Sequence, residues 1–134
     1  GDETLLLAED DPLVRKLAVK ILENAGYDLV VARDGEEAVR LFNRDAQRFA
    51  LAILDVVMPR KSGREVYDAI RVKRPEMPIL FSSGYSYTEF EREQLPNEDV
   101  SLVQKPYSPQ KLLRLVRELL DRGSSITRPD GSTK

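Results

Sequence analysis

The 134-residue chain contains no cysteine and no histidine. Without cysteine it can form neither a disulfide framework nor a thiolate metal site, which is compatible with a reducing cytosol. Without histidine, no imidazole of this chain can act as a nucleophile or a base, so any histidine chemistry must come from a partner. No apolar run approaches the roughly 20 residues of a membrane span. No basic stretch precedes the first apolar run, so we expect neither membrane contact by this domain nor a signal peptide.

An excess of basic charge is also missing, because 21 Lys and Arg residues face 23 Asp and Glu residues, for a net charge of −2. Nucleic-acid binding usually requires a basic stripe, so we expect no nucleic-acid partner. Hydrophobic residues make up 41% of the chain and charged residues 33%, a balance typical of a globular domain. We predict one domain over residues 1–121, followed by a disordered tail or linker over 122–134.

Short apolar runs alternate with amphipathic segments five times, which predicts an α/β fold with a parallel sheet. The predicted strands are residues 4–8, 28–32, 50–54, 78–82 and 100–103. Helix-starting residues precede four of the amphipathic segments; they are Asp11 with Pro12, Asp34, Ser62 with Glu65, and Ser108 with Pro109. The remaining segment, 86–94, has few apolar anchors, which predicts a helix of low local stability.

Four of the predicted strands run into residues suited to phosphoryl transfer, namely Asp10-Asp11, Asp55, Ser82-Ser83 and Lys105. In an open parallel sheet these ends meet at one edge, where ligands bind. Taken singly, each residue has an ordinary explanation as a helix cap, a turn residue or a solvated lysine. Together, crowded carboxylates repel one another unless a cation is present, and Mg²⁺ suits their oxygens. We therefore predict a Mg²⁺ site in which Asp55 is the candidate phosphoryl acceptor, while Lys105 and Ser83 bind phosphoryl oxygens.

The combination of these motifs resembles the receiver domain of two-component response regulators. The motifs are Asp10-Asp11 after the first strand, Asp55 followed by Val-Val-Met-Pro-Arg-Lys-Ser-Gly, Ser83-Gly84 and Lys105-Pro106. The resemblance covers about residues 4–121 and implies a flavodoxin-like (βα)5 three-layer sandwich with five parallel strands in the order 2-1-3-4-5. It also implies phosphoryl transfer to Asp55 catalysed by the domain itself, autodephosphorylation, and a histidine kinase or histidine phosphotransfer protein as the donor.

For the metal, the resemblance implies that Asp11 and Asp55 bind Mg²⁺ directly. Asp10 would act mainly through water, and the backbone carbonyl of Val57 would add a ligand.

For the phosphoryl group, the resemblance implies that Ser83 binds one of its oxygens once Asp55 is modified, and that Lys105 pairs with the phosphoryl group or with Asp55. The bond between Lys105 and Pro106 is expected to be cis. One position departs from the family pattern. The usual Tyr or Phe three residues before the lysine is replaced by Leu102, and Tyr107, which follows the Lys-Pro pair, is not its equivalent.

The motifs are most similar to C-terminal receivers of hybrid sensor histidine kinases, which implies a cytoplasmic domain of a parent tethered to the membrane through its sensor. A separate regulator with its output domain removed is the alternative within signalling. The surface between segment 86–94 and the fifth strand is a candidate homodimer contact. Two other classes stay open: a pseudo-receiver that serves only as an interaction module, and a Mg²⁺-dependent aspartyl-phosphate phosphatase. Such phosphatases normally carry a second Asp two residues after the nucleophile, where this chain has Val57.

Overall fold

The computed structural model describes residues 2–84, 92–93, 95–96 and 100–126. The strands are β1 Thr4–Ala8, β2 Asp28–Ala32, β3 Leu51–Asp55, β4 Ile79–Ser83 and β5 Ser101–Gln104. The helices in this part of the chain are α1 Pro12–Asn24, α2 Gly35–Arg44, α3 Gly63–Lys73 and α4 Pro109–Ile126, with a 3₁₀ turn at Ala46–Arg48. The five strands are parallel and run in the order β2-β1-β3-β4-β5. The predicted fold class and strand order are therefore confirmed.

Helices cover both faces of the sheet. Successive strand residues point to opposite faces, so Leu5 and Leu7 pack with α1 and α4, whereas Leu6 and Ala8 pack with α2 and α3. Every residue of β3 and β4 is buried. This explains why these strands are near-continuous apolar runs that turn polar only where they reach the edge of the sheet.

The helices begin where the capping residues predict. Asp11 Oδ1 accepts hydrogen bonds from the backbone N–H groups of Leu13 and Val14 at the start of α1. Asp34 caps α2 in the same way. Ser62 and Glu65 form a reciprocal capping box at α3. These caps satisfy helix N–H groups that have no partner within the helix, and they place the helix starts at the carboxyl edge of the sheet.

Two predicted segments, the tail over 122–134 and the helix over 86–94, are described only in part. Helix α4 continues to Ile126, so residues 122–126 of the predicted tail are helical. Gly123 does not end α4, because a glycine inside a helix lowers helix stability by only about 1 kcal/mol. Residues 127–134 of the predicted tail lie outside the described residues. Of the predicted helix over 86–94, only residues 92–93 are described as helical. No helix among the described residues is long and apolar enough to cross a bilayer.

The loop between β3 and α3 is fixed by close backbone contacts. A methyl group at Gly63 would overlap the carbonyl oxygen of Asp55, and one at Gly35 would overlap that of Lys61. Arg60 has a left-handed φ of 72°, and its guanidinium lies 3.4 Å from Asp34 at the start of α2. The loop that follows β3 is thus held against the first residues of two helices, α2 and α3.

Candidate functional site

Three carboxylates meet at the carboxyl edge of the sheet. Glu9 follows β1, Asp10 begins the connection to α1, and Asp55 is the last residue of β3. One carboxylate oxygen from each lies within 4.8 Å of the others. Glu9 is fully buried and Asp55 is only 4% exposed, whereas Asp10 is open to solvent.

Lys105 joins the two buried carboxylates. Its Nζ lies 3.0 Å from Asp55 Oδ2 and 3.2 and 3.3 Å from the two oxygens of Glu9. Burial alone would lower the pKa of Lys105, but the attraction of Asp55 and Glu9 outweighs it and raises that pKa. The ammonium group therefore stays charged between two acids, in a position to meet further negative charge.

The carboxyl group of Asp55 has a raised pKa. Burial raises the pKa of its carboxyl group and repulsion by Glu9 adds to this, while Lys105 opposes both; the resulting pKa is about 8. The Val57 N–H donates a hydrogen bond of 3.3 Å to Asp55 Oδ1. In the metal-free site the Asp55 carboxyl group is therefore harder to ionise than an ordinary aspartate, and a nearby cation would favour its ionised form.

The Asp55 carboxylate opens into a small hollow of about 260 Å³. Its lining consists of Asp10, Asp11, Asp55, Val56, Val57, Ser83, Gly84 and Lys105. Ser83 is the last residue of β4, and its carbonyl oxygen accepts a hydrogen bond of 2.7 Å from the Lys105 N–H. No heavy atom of the described residues lies within 4 Å of where a Gly84 side chain would begin, so the hollow is open at this position. The bond between Lys105 and Pro106 is cis, as predicted.

The donor set fits a hard divalent cation. Mg²⁺ prefers oxygen ligands, uses one or two carboxylates and keeps room for water and phosphate oxygens. With all three acids ionised, Glu9, Asp10 and Asp55 carry three negative charges against the single positive charge of Lys105. A cation between them would relieve the repulsion that raises the Asp55 pKa.

The structure places Asp11 differently from the predicted ligand set. Asp11 lines the hollow, but its Oδ1 caps α1, and it does not belong to the carboxylate cluster. Glu9 occupies that place, and its Oε2 also accepts a hydrogen bond of 3.1 Å from the Asp11 N–H. The sequence reasoning missed Glu9. The available signal was strand alternation, which puts Leu5, Leu7 and the next alternate residue on one face of β1.

The remaining predicted residues lie where their strands bring them. Asp10, Asp55, Ser83 and Lys105 line one hollow, as expected, and Val57 lies at its rim. Leu102 packs against the core on the α2 and α3 side of the sheet, whereas Tyr107 is buried on the opposite side with α1 and α4. Tyr107 therefore cannot stand in for the missing aromatic residue at position 102.

Comparison with known families identifies one match that covers most of the chain. The model of the response regulator receiver domain matches residues 5–117. This range contains β2 to β5, all of β1 except its first residue, and every residue of the hollow.

Curated relatives carry the same domain within longer chains. The sensor kinase CckA of Brucella abortus is 30% identical over 122 residues, which are 91% of this chain but 13% of the kinase. The alkaline phosphatase synthesis transcriptional regulatory protein PhoP of Bacillus subtilis is 30% identical over 136 residues, covering 99% of this chain and 54% of the regulator. The chain therefore spans from about an eighth to about half of these relatives.

Solved structures agree with the fold. A CheY-like receiver domain protein from Methanospirillum hungatei superposes with a TM-score of 0.83 at 24% identity, covering 94% of this chain and 99% of that one. The receiver domain of Francisella response regulator 1452 gives a TM-score of 0.76 at 27% identity, with 90% and 98% covered.

Proposed function

Because the chain belongs to the response regulator receiver family, we propose that it is a phosphorylation-dependent switch whose acceptor is Asp55. The observation that carries this proposal is the position of Asp55 at the bottom of an open hollow, 3.0 Å from the Lys105 ammonium and beside two further carboxylates. A buried aspartate with a purely structural role would not require an ammonium group and two further carboxylates around it. An aspartate that must attack a phosphorus atom and then carry a dianion needs both the cation and the metal-binding acids.

The chemistry follows from the charges. One oxygen of the Asp55 carboxylate attacks the phosphorus of a donor phosphohistidine, the phosphorus–nitrogen bond breaks, and its electron pair leaves on the imidazole, which takes a proton from solvent. Lys105 is placed to neutralise the transferred oxygens, and Ser83 lies at the same hollow to donate a hydrogen bond to one of them. In autodephosphorylation, water would hydrolyse the aspartyl phosphate and release inorganic phosphate.

We propose Glu9, Asp10 and Asp55 as the carboxylates that hold Mg²⁺, with the Val57 carbonyl as a further ligand. Bound there, Mg²⁺ would neutralise charge on the transferring phosphoryl oxygens. Asp11 contributes less than predicted in this scheme, because its Oδ1 already serves the helix cap.

The 134 residues contain no histidine, so the donor phosphohistidine would lie outside this domain, on a separate protein or on another domain of the same one. Leu13 and Leu17, both on α1, are large apolar side chains that are 78% and 40% exposed. A second hollow of about 300 Å³ lies between Val14 and Pro106 and shares part of its rim with the acceptor hollow. This apolar margin supports docking of a histidine kinase or histidine phosphotransfer protein.

The setting of this domain is also a proposal. We propose a cytoplasmic phosphorelay role, with the domain joined to a sensor kinase or to a separate output domain. The candidate homodimer surface involves segment 86–94, most of which lies outside the described residues.

The test is labelling with a small acyl-phosphate donor and Mg²⁺, followed by intact mass measurement. The wild-type chain should gain one phosphoryl group, and Asp55→Asn should gain none. Asp28→Asn, at the opposite edge of the sheet, is the matched control and should label normally. Labelling that persists in Asp55→Asn would move the acceptor elsewhere. A wild-type chain that neither labels nor gains stability from beryllofluoride with Mg²⁺ would instead be an interaction module.

A further inference from the structure

Arg15 on α1 reaches back to the chain segment that carries the acidic residues. Its Nη1 donates hydrogen bonds to the backbone carbonyl oxygens of Glu9, at 2.9 Å, and Asp10, at 3.4 Å. Helical side chains slant toward the helix N-terminus, so a residue in the first turn of α1 is able to contact the connection that precedes it.

This placement runs against the usual charge preference of helices. The N-terminal end of a helix carries partial positive charge, so a cation in its first turn is disfavoured. Arg15 is nevertheless partly buried there. The two carbonyl acceptors provide the compensation, which indicates that the contact itself has a role.

The other atoms of this connection are also held. The Glu9 N–H donates to the Ala32 carbonyl on β2 at 3.1 Å, and the Asp11 N–H donates to the Glu9 carboxylate. Asp11 in turn caps α1. Without Arg15, the carbonyl groups of Glu9 and Asp10 would have no hydrogen-bond partner among the described residues.

We infer that Arg15 is a positioning residue for the acidic pair Glu9-Asp10, holding their backbone so that both carboxylates face the proposed Mg²⁺ site. This inference rests on the proposed function, because it concerns the same site. Arg15 would not touch the metal or the phosphoryl group. It acts through the peptide groups from which the two acidic side chains extend.

A purely electrostatic role predicts the opposite sign. A guanidinium beside a cation site repels the cation, so removing its charge would tighten Mg²⁺ binding. Removing a group that orients metal ligands typically weakens metal affinity by about 10- to 100-fold. The direction of the change in affinity therefore separates the two roles.

The experiment measures the Mg²⁺ dissociation constant of the purified chain by calorimetry for wild type, Arg15→Met, Arg15→Lys and Lys16→Met. Lys16→Met is the matched control, since it removes a charge from the next, solvent-exposed residue of the same helix. We expect Arg15→Met to bind Mg²⁺ about 10-fold more weakly. Arg15→Lys should lose less, because it keeps a donor and the charge, and Lys16→Met should bind like wild type. Phosphoryl labelling of Arg15→Met should recover at saturating Mg²⁺.

A metal-free readout guards against a general folding defect. In Arg15→Met, hydrogen exchange of the Asp11 amide, which reports on the Glu9–Asp11 connection, should accelerate while exchange in the β3 strand stays unchanged. Unchanged or tighter Mg²⁺ binding by Arg15→Met would overturn the inference, as would equal weakening by Lys16→Met. If the wild-type chain itself binds no Mg²⁺, the proposed metal site fails instead, and the two failures are thereby distinguished.

Discussion

Asp55 should make the stability of the metal-free protein fall as the pH rises. Its pKa is about 8 in the folded chain, chiefly because the carboxyl group is buried and then because Glu9 repels its charge. In the unfolded chain the same group titrates near its ordinary value of 3.8. Between these values the folded state binds a proton that the unfolded state has released. Stability from this group is therefore complete below the unfolded pKa and is lost as the pH rises toward the folded one.

The magnitude follows from linkage. Each pH unit inside the window changes the free energy of unfolding by about 1.4 kcal/mol. Between pH 5.5 and 7.0 the chain should thus lose about 2 kcal/mol relative to a variant in which position 55 cannot titrate. Asp55→Asn is that variant, because it keeps the shape of the side chain and removes the ionisable group. The comparison cancels the contributions of acids distant from position 55, which both proteins share.

The assay is urea unfolding followed by circular dichroism, at several pH values, in a chelating buffer and again with saturating Mg²⁺. In chelator, the difference between wild type and Asp55→Asn should change by about 2 kcal/mol across the window. With Mg²⁺ this slope should largely vanish, because the cation favours the ionised carboxylate of the folded state. Parallel stability curves for the two proteins in chelator would refute the reasoning, since they would mean that Asp55 titrates normally.

Four further substitutions test other parts of the domain. Asp11→Ala should cost about 1 kcal/mol of stability through loss of the α1 cap, with Mg²⁺ affinity changed little, whereas Glu9→Gln should weaken Mg²⁺ binding in calorimetry. Tyr107→Phe should change the unfolding free energy in urea little or raise it, because the buried Tyr107 hydroxyl has only the Ser82 hydroxyl as a neighbouring side-chain partner among the described residues and makes no hydrogen bond of good geometry with it. A clear loss would show that this hydroxyl is satisfied. Gly35→Ala should lower the thermal midpoint and slow phosphoryl labelling, since its methyl group would displace the carbonyl of Lys61 in the loop after the acceptor strand; unaltered labelling would separate that loop from acceptor geometry.

Much of the site could be predicted because strand ends carry a local signal. Asp55, Ser83 and Lys105 each stand where an apolar run turns polar, and a parallel sheet brings those points to one edge. The three strands later in the chain begin one residue beyond the predicted starts. That difference does not change the site, because the polar residue still falls at the end of the strand or just after it.

The choice among three consecutive acids could not be made from local pattern alone. Residues 9 to 11 are Glu, Asp and Asp, and composition does not say which of them faces the sheet edge. Strand alternation and the helix cap decide it together, once the pairing of β1 with β3 is known. Alternation along β1 turns Glu9 to the face that Asp55 occupies, and the helix start consumes Asp11 as its cap. The contact of Arg15 with the Glu9 carbonyl has no sequence signal either, because it depends on how α1 leaves the sheet.

These geometric facts give the resting site a simple charge logic. Lys105 is shared by two buried carboxylates, Glu9 and Asp55, so its single positive charge balances only one of them. One carboxylate charge is left unbalanced, and either a proton or a divalent cation resolves that imbalance. A phosphoryl group on Asp55 would replace one negative charge by about two. The single positive charge of Lys105 cannot balance these by itself. Ser83 lies within the same hollow to supply a further hydrogen bond. In the proposed switch, Leu102 has no aromatic side chain to turn inward, so we expect β4, which carries Ser83, to be the element through which a phosphoryl group on Asp55 acts.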